Sequence, residues 1–349
     1  MPIQKISTDD PVAMTGFVVT DLAGAERATG VVRSAKKILM DGAKTMARSQ
    51  SYAWAILGEQ ISGASAGISV DPANNQAGIA AFADAVLERV SAGELSLDPA
   101  KGVSASDLSG LSLADTRSSI GSESTPTGTL NQDLLAAGAF AAAASAYGSL
   151  EGRRITVEGT VAHSASVISA AISHGVVVVG FTLSSGARVR PEGFDLESLL
   201  QQLTESGEMT DTDLGAQVSN EELLEAPTDL LLCGSKLGLI DHSAAEALGC
   251  KVIIPTAPAV VTAKGLAVAT RRNINVLPDF VTTSGPLFAD HPTADSSAEH
   301  ILGVAAESIS NTIAALLQHP EGPYLAGCYA AEEFLMTWQQ ELPFGRPLA

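Results

Sequence analysis

Along the chain, apolar residues recur at helical spacing in some stretches and in short unbroken runs in others, and the two alternate regularly after residue 130. Leu134–Tyr147 is almost all alanine and leucine, which predicts a helix buried on most sides. Arg154–Glu158 (RITVE) reads as a strand, Ser164–Ser173 as a helix, and Val176–Phe181 as the continuous apolar run of a buried parallel strand. The alternation continues with helices over Leu196–Leu203, Ser243–Ala247 and Val261–Thr270, and strands over Asp229–Cys233, Lys251–Pro255 and Ile274–Leu277. Strands alternating with helices predict a parallel sheet wound on both faces. Ala298–Gln318 and Tyr329–Gln339 are helical in pattern.

The first hundred residues are more mixed. Ala25–Asp41 has helical period, Tyr52–Leu57 reads as a short apolar strand, and Ile61–Val70 (ISGASAGISV) as a Gly/Ser-rich turn leading into a second strand. Asn75–Val90 follows as an amphipathic helix. From Ser104 to Thr129 the composition shifts to Ser, Thr, Gly and Asp, the mark of a loop or hinge. The expected domains are therefore residues 1–130, residues 131–325, and a C-terminal helix at 326–349 that packs back on the first.

At 349 residues two cores are comfortable. The chain is 46% apolar, 17% charged and 4% aromatic, a small-aliphatic interior suited to close helix-on-sheet packing. Its formal charge of −19 repels phosphate backbones and anionic lipid, so neither nucleic acid nor a membrane is expected as partner. Cys233, Cys250 and Cys328 form no CxxC pair and read as reduced thiols. The six histidines lack ligand spacing, so no metal site is expected. The acidic N-terminal stretch and the lack of a spanning apolar run point to a soluble, cytoplasmic protein. No GxSxG or Walker loop is present.

Five segments carry a family resemblance. SLEGRRITVEGTVAHSA, HGVVVVGFTLSSGA and RPEGFD follow one another from residue 149. PDFVTTSG spans 278–285, and SYAWAILGEQISGASAGIS spans 51–69. In this order they resemble the glutamate/leucine/phenylalanine/valine dehydrogenases, whose counterparts read roughly SLEGK-VVAVQGVGNVA, GAKVVAVSDSKGG, NPDGLD, PDFLANAGG and TYKNAAAGLDFGGGKGVI. The resemblance implies an N-terminal α/β domain of the oligomerisation and substrate type. It also implies a Rossmann-like, doubly wound parallel-sheet domain, with NAD or NADP as cofactor if any binds.

Fold does not fix chemistry, and the implied functional positions depart from the pattern. The dinucleotide turn needs glycines for close approach of the pyrophosphate; here Gly159 and Thr160 are followed by Val161 at the second glycine position and Ser164 at the third. The acid expected at the end of the second strand, to bond the ribose hydroxyls, is Leu183. Arg188 and Arg190, read as loop residues, are either solvated or placed to meet a 2′-phosphate. The family lysine that holds the substrate carboxylate corresponds by spacing to Ala53, and the catalytic lysine to Ser65. A desolvated ammonium polarises a carbonyl or activates water, which neither replacement does. Asp98, with Lys101 close in sequence, is the counterpart of the family's catalytic aspartate, or else a turn residue. On the nicotinamide side an asparagine becomes Pro258, ANAGG becomes TTSGP with Pro286 at the second glycine, and Thr282, Thr283 and Ser284 are either a polar cluster or a helix cap. His163 lies in the altered turn, and the adjacent pairs Asp241-His242 and Asp290-His291 give little support to a relay.

Three functions compete. One is an NAD(P)-dependent amino-acid dehydrogenase with an unusual active site. A second is a non-catalytic relative that binds a metabolite, or serves as a regulatory partner in a homo-oligomer or in a hetero-oligomer with an active family member. A third is an enzyme of different chemistry using Asp98 and Lys101. Departures at five separate parts of the machinery favour the second, since each part supplies a different term of binding or barrier lowering.

Overall fold

The computed structural model describes residues 1–349 except 11, 160–163, 184, 207–214, 293–295 and 343. Two compact units emerge: Met1–Arg117 with Ala330–Pro347, and Ser118–Tyr329 with Leu348–Ala349. The chain thus passes from one to the other after Arg117, where composition alone draws the line after residue 130.

The first unit runs β1 (Ile3–Thr8), β2 (Met14–Thr20), β3 (Ala28–Ala35), α1 (Met40–Ile56), β4 (Ser62–Val70), α2 (Asn75–Ser91), β5 (Leu95–Pro99) and α3 (Ser109–Ala114). Its sheet has the order β1-β2-β4-β3-β5. The first two pairings are antiparallel, and β3 is parallel to both β4 and β5. One face buries Val18, Val32, Ala64, Ala66 and Ile68 against Ile79, Phe82, Val86 and Val90 of α2. Each fully buried valine, isoleucine or phenylalanine among them contributes roughly 1.5–3 kcal/mol. On the other face Phe17 and Val19 meet Ala43 and Ala47 of α1.

Three expectations fail here, for one reason. The stretch expected to be helical at Ala25–Asp41 is instead β3, a central strand whose Ala28, Gly30, Val32 and Ser34 point to the α2 side. The expected strand at Tyr52–Leu57 is the last turn and a half of α1; a short apolar run does not tell a strand from a buried helix face. The expected turn in ISGASAGISV is continuous strand β4, and its small residues are packing devices. A Cβ on Gly63 would lie 1.9 Å from the Ala47 carbonyl of α1, and one on Gly67 would lie 2.7 Å from Phe17. The glycines let a helix lie directly on the strand. The antiparallel pair β1–β2 has no counterpart in the sequence reading, and 104–129, expected as loop, contains α3.

The second unit begins with a two-residue hairpin, β6 (Ser124–Thr125) and β7 (Gly128–Thr129). α4 (Leu130–Tyr147) starts at a reciprocal cap in which the Thr129 hydroxyl accepts from Gln132 N and the Gln132 side chain accepts from Thr129 N. Then follow β8 (Arg154–Val157), α5 (Ala165–Ser173), β9 (Val177–Leu183), β10 (Gly186–Val189), α6 (Leu196–Ser206), β11 (Ala216–Val218), α7 (Asn220–Glu225), β12 (Leu230–Cys233), α8 (His242–Ala247), β13 (Val252–Pro255), α9 (Ala263–Arg271) and β14 (Asn275–Val276). The chain closes with α10 (Asp279–Thr282), α11 (Ala298–Leu316) and α12 (Pro323–Leu335), the last running on into the C-terminal part of the first unit. The sheet order is β11-β10-β9-β8-β12-β13-β14. Five strands are parallel, as the alternation of elements predicts, while β10 and β11 form an antiparallel edge. Arg188 therefore sits on a strand and not on the expected loop.

The chain order turns back between β8 and β12. In open α/β sheets that switch point, at the carboxyl ends of the strands, is where a crevice opens for ligands. Among the described residues, no helix is long and apolar enough to cross a membrane.

Candidate functional site

At the switch point of the second unit, Glu158 follows β8 directly. Its carboxylate is only 1% exposed. Oε2 accepts from the backbone N–H of Gly234 (3.1 Å) and of Ser235 (3.2 Å), just past the end of β12. Gly159 has φ +97°, and a Cβ there would lie 2.7 Å from Ser235 N. A Cβ on Gly234 would lie 2.6 Å from Thr256 Oγ1, at the end of β13. Three strand ends are thus drawn together through two glycines, with a negative charge held between them by amide donors. Thr256 is buried and its hydroxyl has no partner. The Cys233 thiol is pushed well up by burial and then by the charges of Glu158 and Cys250, and burial takes Cys250 to about 12. Neither is a thiolate nucleophile at neutral pH.

Beside this, Leu183 is buried at the end of β9, paired with Gly186 across the hairpin. Arg190 pairs with Glu192 at 3.1 Å, and the Nε of Arg188 is buried without a hydrogen-bond partner. Thr160, Val161 and His163 lie outside the described residues. Ser164 stands at the start of α5 without making a side-chain cap.

On the far side of β12, Asp279 is buried. Its Oδ2 accepts from Ala259 N (2.8 Å) and its Oδ1 from the Tyr324 hydroxyl (2.8 Å). Ala259, just after Pro258, has φ +52°, a left-handed conformation uncommon for a residue with a side chain. Asp279 holds that turn. The hydroxyl cluster is committed locally: Thr282 Oγ1 donates to Pro255 O at 2.6 Å, Thr283 Oγ1 to Asp279 O at 2.7 Å and Ser284 Oγ to Val281 O at 2.8 Å. None of them caps the turn that follows, which contains Pro286. Asp241 caps α8 through Ala244 N, while His242 is exposed.

In the first unit the charged groups are arranged differently. Arg48, 3% exposed, grips Asp21 through Nε and Nη2 at 2.8–2.9 Å, and its Nη1 donates to the carbonyls of Phe344 (3.0 Å) and Gly345. Arg117 spans Asp98 (2.8 and 3.1 Å) and Asp115 (3.0 Å). Burial raises the Asp115 carboxyl, but hydrogen bonds and charge from Arg117, with the Ser96 hydroxyl, bring it below its ordinary value. Among the described residues no cluster of three or more His, Cys, Asp or Glu could hold a metal ion.

Comparison with known proteins gives this scaffold a lineage. Residues 133–289 match the family model described as glutamate/leucine/phenylalanine/valine dehydrogenase. Over that stretch, which lies within the second unit, the chain is similar to that family. It is 33% identical to glutamate dehydrogenase of Thermotoga maritima over 111 residues, 32% of this chain and 27% of that one. To glutamate dehydrogenase of Aeropyrum pernix it is 28% identical over 152 residues, 43% and 36% of the two chains. These alignments span well under half of either relative. Similar solved folds cover much more. The hetero-hexameric glutamate dehydrogenase of Thermus thermophilus, in its leucine-bound form, has TM-score 0.76 at 19% identity, covering 95% of this chain and 88% of that one. L-tryptophan dehydrogenase of Nostoc punctiforme has TM-score 0.65 at 14% identity and covers 96% of both.

The first unit carries the positions that the sequence resemblance pairs with the family's two lysines. Ala53 is buried on α1, not on a strand. Ser65 is fully buried on β4, and its hydroxyl accepts from Arg33 Nη2 at 3.5 Å. Asp98 ends β5 with its side chain 50% exposed and paired to Arg117. Lys101 is exposed in the turn beyond and makes no ion pair with Asp98. β3–β4 and β3–β5 pairing sets Ser65, Val31 and Asp98 in one row across three strands. Sequence reasoning brought Ser65 and Asp98 forward but missed Glu158, Asp279 and Arg33. For Glu158 a signal existed, an acid where the family reads glutamine (VEG for VQG). Arg33 had none, because its isolation becomes visible only once its neighbours are in place.

Proposed function

We propose that this chain is a non-catalytic member of its family that binds a small metabolite and serves as a regulatory or partner subunit. The observation that carries the reading is Ser65. Oxidative deamination of an amino acid needs a desolvated ammonium that can change its protonation during turnover. The matched position holds a fully buried hydroxyl that does not ionise in the useful range. Lys101 is exposed and does not supply the missing group.

The cofactor position supports the same reading. A dinucleotide brings two phosphates to the switch point and a ribose to the end of the second strand. The residues here do not fit it: Glu158 sets a carboxylate where anions would approach, on the amide donors of Gly234 and Ser235, and Leu183 accepts no hydrogen bond. Departures in both units are economical to explain if the reaction is not carried out. A hetero-oligomeric role is favoured by the fold's likeness to a subunit of a hetero-hexamer described with leucine bound.

Calorimetric titration of the purified protein with NAD(H) and NADP(H) tests this. The expected outcome is no saturable heat at concentrations where active dehydrogenases are saturated. A dissociation constant in the micromolar range, roughly −8 kcal/mol of binding, would overturn the reading.

A further inference from the structure

At the amino end of the second unit's sheet, away from the switch point, a cavity of about 400 Å³ opens beside the edge strand β14. Its floor is apolar, formed by Leu266 of α9, Ile274, Val276 and Tyr324 at the start of α12. Its walls are the last turn of α9, with Thr270, and the connection from α11 to α12, with His319 and Glu321.

What these walls offer a ligand follows from where their protons go. Thr270 Oγ1 donates to Leu266 O (2.9 Å), so towards the cavity it can only accept. The Tyr329 hydroxyl donates to Glu321 Oε2 (2.9 Å), and the Tyr324 hydroxyl donates to Asp279. Glu321 stays exposed, with a second oxygen beyond that bond, and its N–H donates to His319 Nδ1 at 3.2 Å. On β14, Asn275 and Leu277 turn their N–H groups to β13, at 3.0 Å from Lys251 O and Ile253 O, so Val276 between them turns its own backbone groups to the open edge. Two helices, α9 and α11, end at the cavity and one, α12, begins there, which leaves a net negative sum of dipole ends. The arginines at the end of α9 are turned to α8: Arg271 reaches Glu246 (3.4 Å), and Arg272 reaches the carbonyls of Ala245 (2.6 Å) and Leu248 (3.0 Å). None of the described residues lining the cavity is lysine or arginine, and Glu321 is the one acid among them.

We propose that this cavity binds a small primary amine as its ammonium ion, with the alkyl chain on the floor of Leu266, Ile274 and Tyr324. An ammonium carries three donors and no acceptor, the complement of walls rich in acceptors. A phosphate or carboxylate would meet the charge of Glu321 with no lysine or arginine to offset it. An amino acid would leave its carboxylate unpaired for the same reason, so the ligand is an amine without an acid group. The cavity lies at the end of the sheet opposite Glu158, Ser235 and Thr256, so the inference goes beyond the proposed function and does not depend on it.

The test uses the full-length protein and follows the His319 Cε1–H resonance by NMR, assigned among the six histidines by its loss in His319→Gln. The probes are n-butylammonium, butyrate and 1-butanol, titrated at constant pH and ionic strength. n-Butylammonium is expected to shift the resonance saturably with a dissociation constant of about 5 mM or below, and the other two to bind at least about tenfold more weakly, equivalent to about 1.4 kcal/mol. Glu321→Gln keeps an acceptor for the Tyr329 hydroxyl and should weaken the amine about tenfold. Thr270→Trp, which fills the cavity from an exposed position on α9, should abolish binding. Glu307→Gln removes an exposed acid of α11 outside the lining and should leave the affinity unchanged, which separates this site from the general attraction of cations to a chain of charge −19. Far-UV circular dichroism checks that each variant is folded. No saturable shift with the amine up to about 50 mM would overturn the proposal, as would equal binding of butyrate or 1-butanol. Undiminished binding in folded Glu321→Gln or Thr270→Trp, or an equal loss in Glu307→Gln, would do the same. Binding of NAD(H) or NADP(H) would remove the non-catalytic reading and leave the amine site standing.

Discussion

The two units bury charge by opposite means. In the first, carboxylates meet guanidinium groups: Asp21 with Arg48, and Asp98 and Asp115 with Arg117. In the second, two buried acids rest on neutral donors: Glu158 on two backbone N–H groups, and Asp279 on a backbone N–H and a tyrosine hydroxyl. An ion pair loses both charges' balance when one partner goes, whereas an acid on amide donors keeps most of its hydrogen bonds if it becomes an amide. The difference is open to separate measurement, because both tryptophans, Trp54 and Trp338, belong to the first unit. Their emission reports on that unit alone.

The largest expected effect is in the first unit. Arg48→Ala strands Asp21 without its counter-ion and should cost about 3–5 kcal/mol, read as a lower urea midpoint of the tryptophan signal. Replacing the pair together, Arg48→Met with Asp21→Leu, should recover a large part of that loss. A double variant no better than the single would mean that the carbonyls of Phe344 and Gly345, and not Asp21, are what Arg48 chiefly serves. In the second unit, Asp279→Ala should cost about 2–3 kcal/mol by removing the buried acceptor of the Ala259 N–H and Tyr324 hydroxyl bonds. Asp279→Asn should cost clearly less; equal losses would erase the contrast between the units. These are read by circular dichroism, with the tryptophan transition as the control.

Glu158→Gln should change stability by less than about 1 kcal/mol, since the amide oxygen accepts the same two N–H bonds. Removing the charge should also let NADPH bind up to about tenfold better than in the parent, about 1.4 kcal/mol at most, since Leu183 and Val161 remain. The smallest effect is in pH. Burial holds the His174 imidazole, stacked on Phe140 at 5.3 Å, below its ordinary 6.5. Between the lowered value and 6.5 the unfolded chain holds more protons, so stability falls as pH drops below about 6.5. That step should vanish in His174→Gln. A second loss, below the ordinary 3.8, should follow from Asp115 and Asp229, whose carboxyls are depressed in the fold. Burial raises Asp229, but this is outweighed by bonds from the Tyr147 hydroxyl and Arg154 N–H and by the charges of Lys251 and Arg153. Their stabilisation is present above 3.8 and is lost as pH falls through the depressed values.

What could be read from sequence follows the same division. In the second unit long or unbroken apolar runs such as Leu134–Tyr147 and Val176–Phe181 carry their period plainly and fall close to expectation, whereas the short β10, β11 and α7 were not expected and the helix expected at Tyr329–Gln339 is α12, Pro323–Leu335. In the first unit, α1 and β4 meet through Ala47 and Gly63, and small residues have no strong period, so a helix and a strand changed places in the reading. The candidate site was legible where it departs from a pattern, as at Ser65, and illegible where its meaning depends on distant neighbours. Glu158 matters because of Gly234 and Ser235, 76 and 77 residues away.

The pairing of Arg48 with the carbonyls of Phe344 and Gly345 has a consequence for how the protein is made. Residues 330–347 belong to the first unit although residues 118–329 of the second are translated between them and Arg117. At about 5–20 residues per second on the ribosome, the N-terminal sheet must wait on the order of ten seconds or more for its last segment. The first unit is completed only after residues 118–329 have been made.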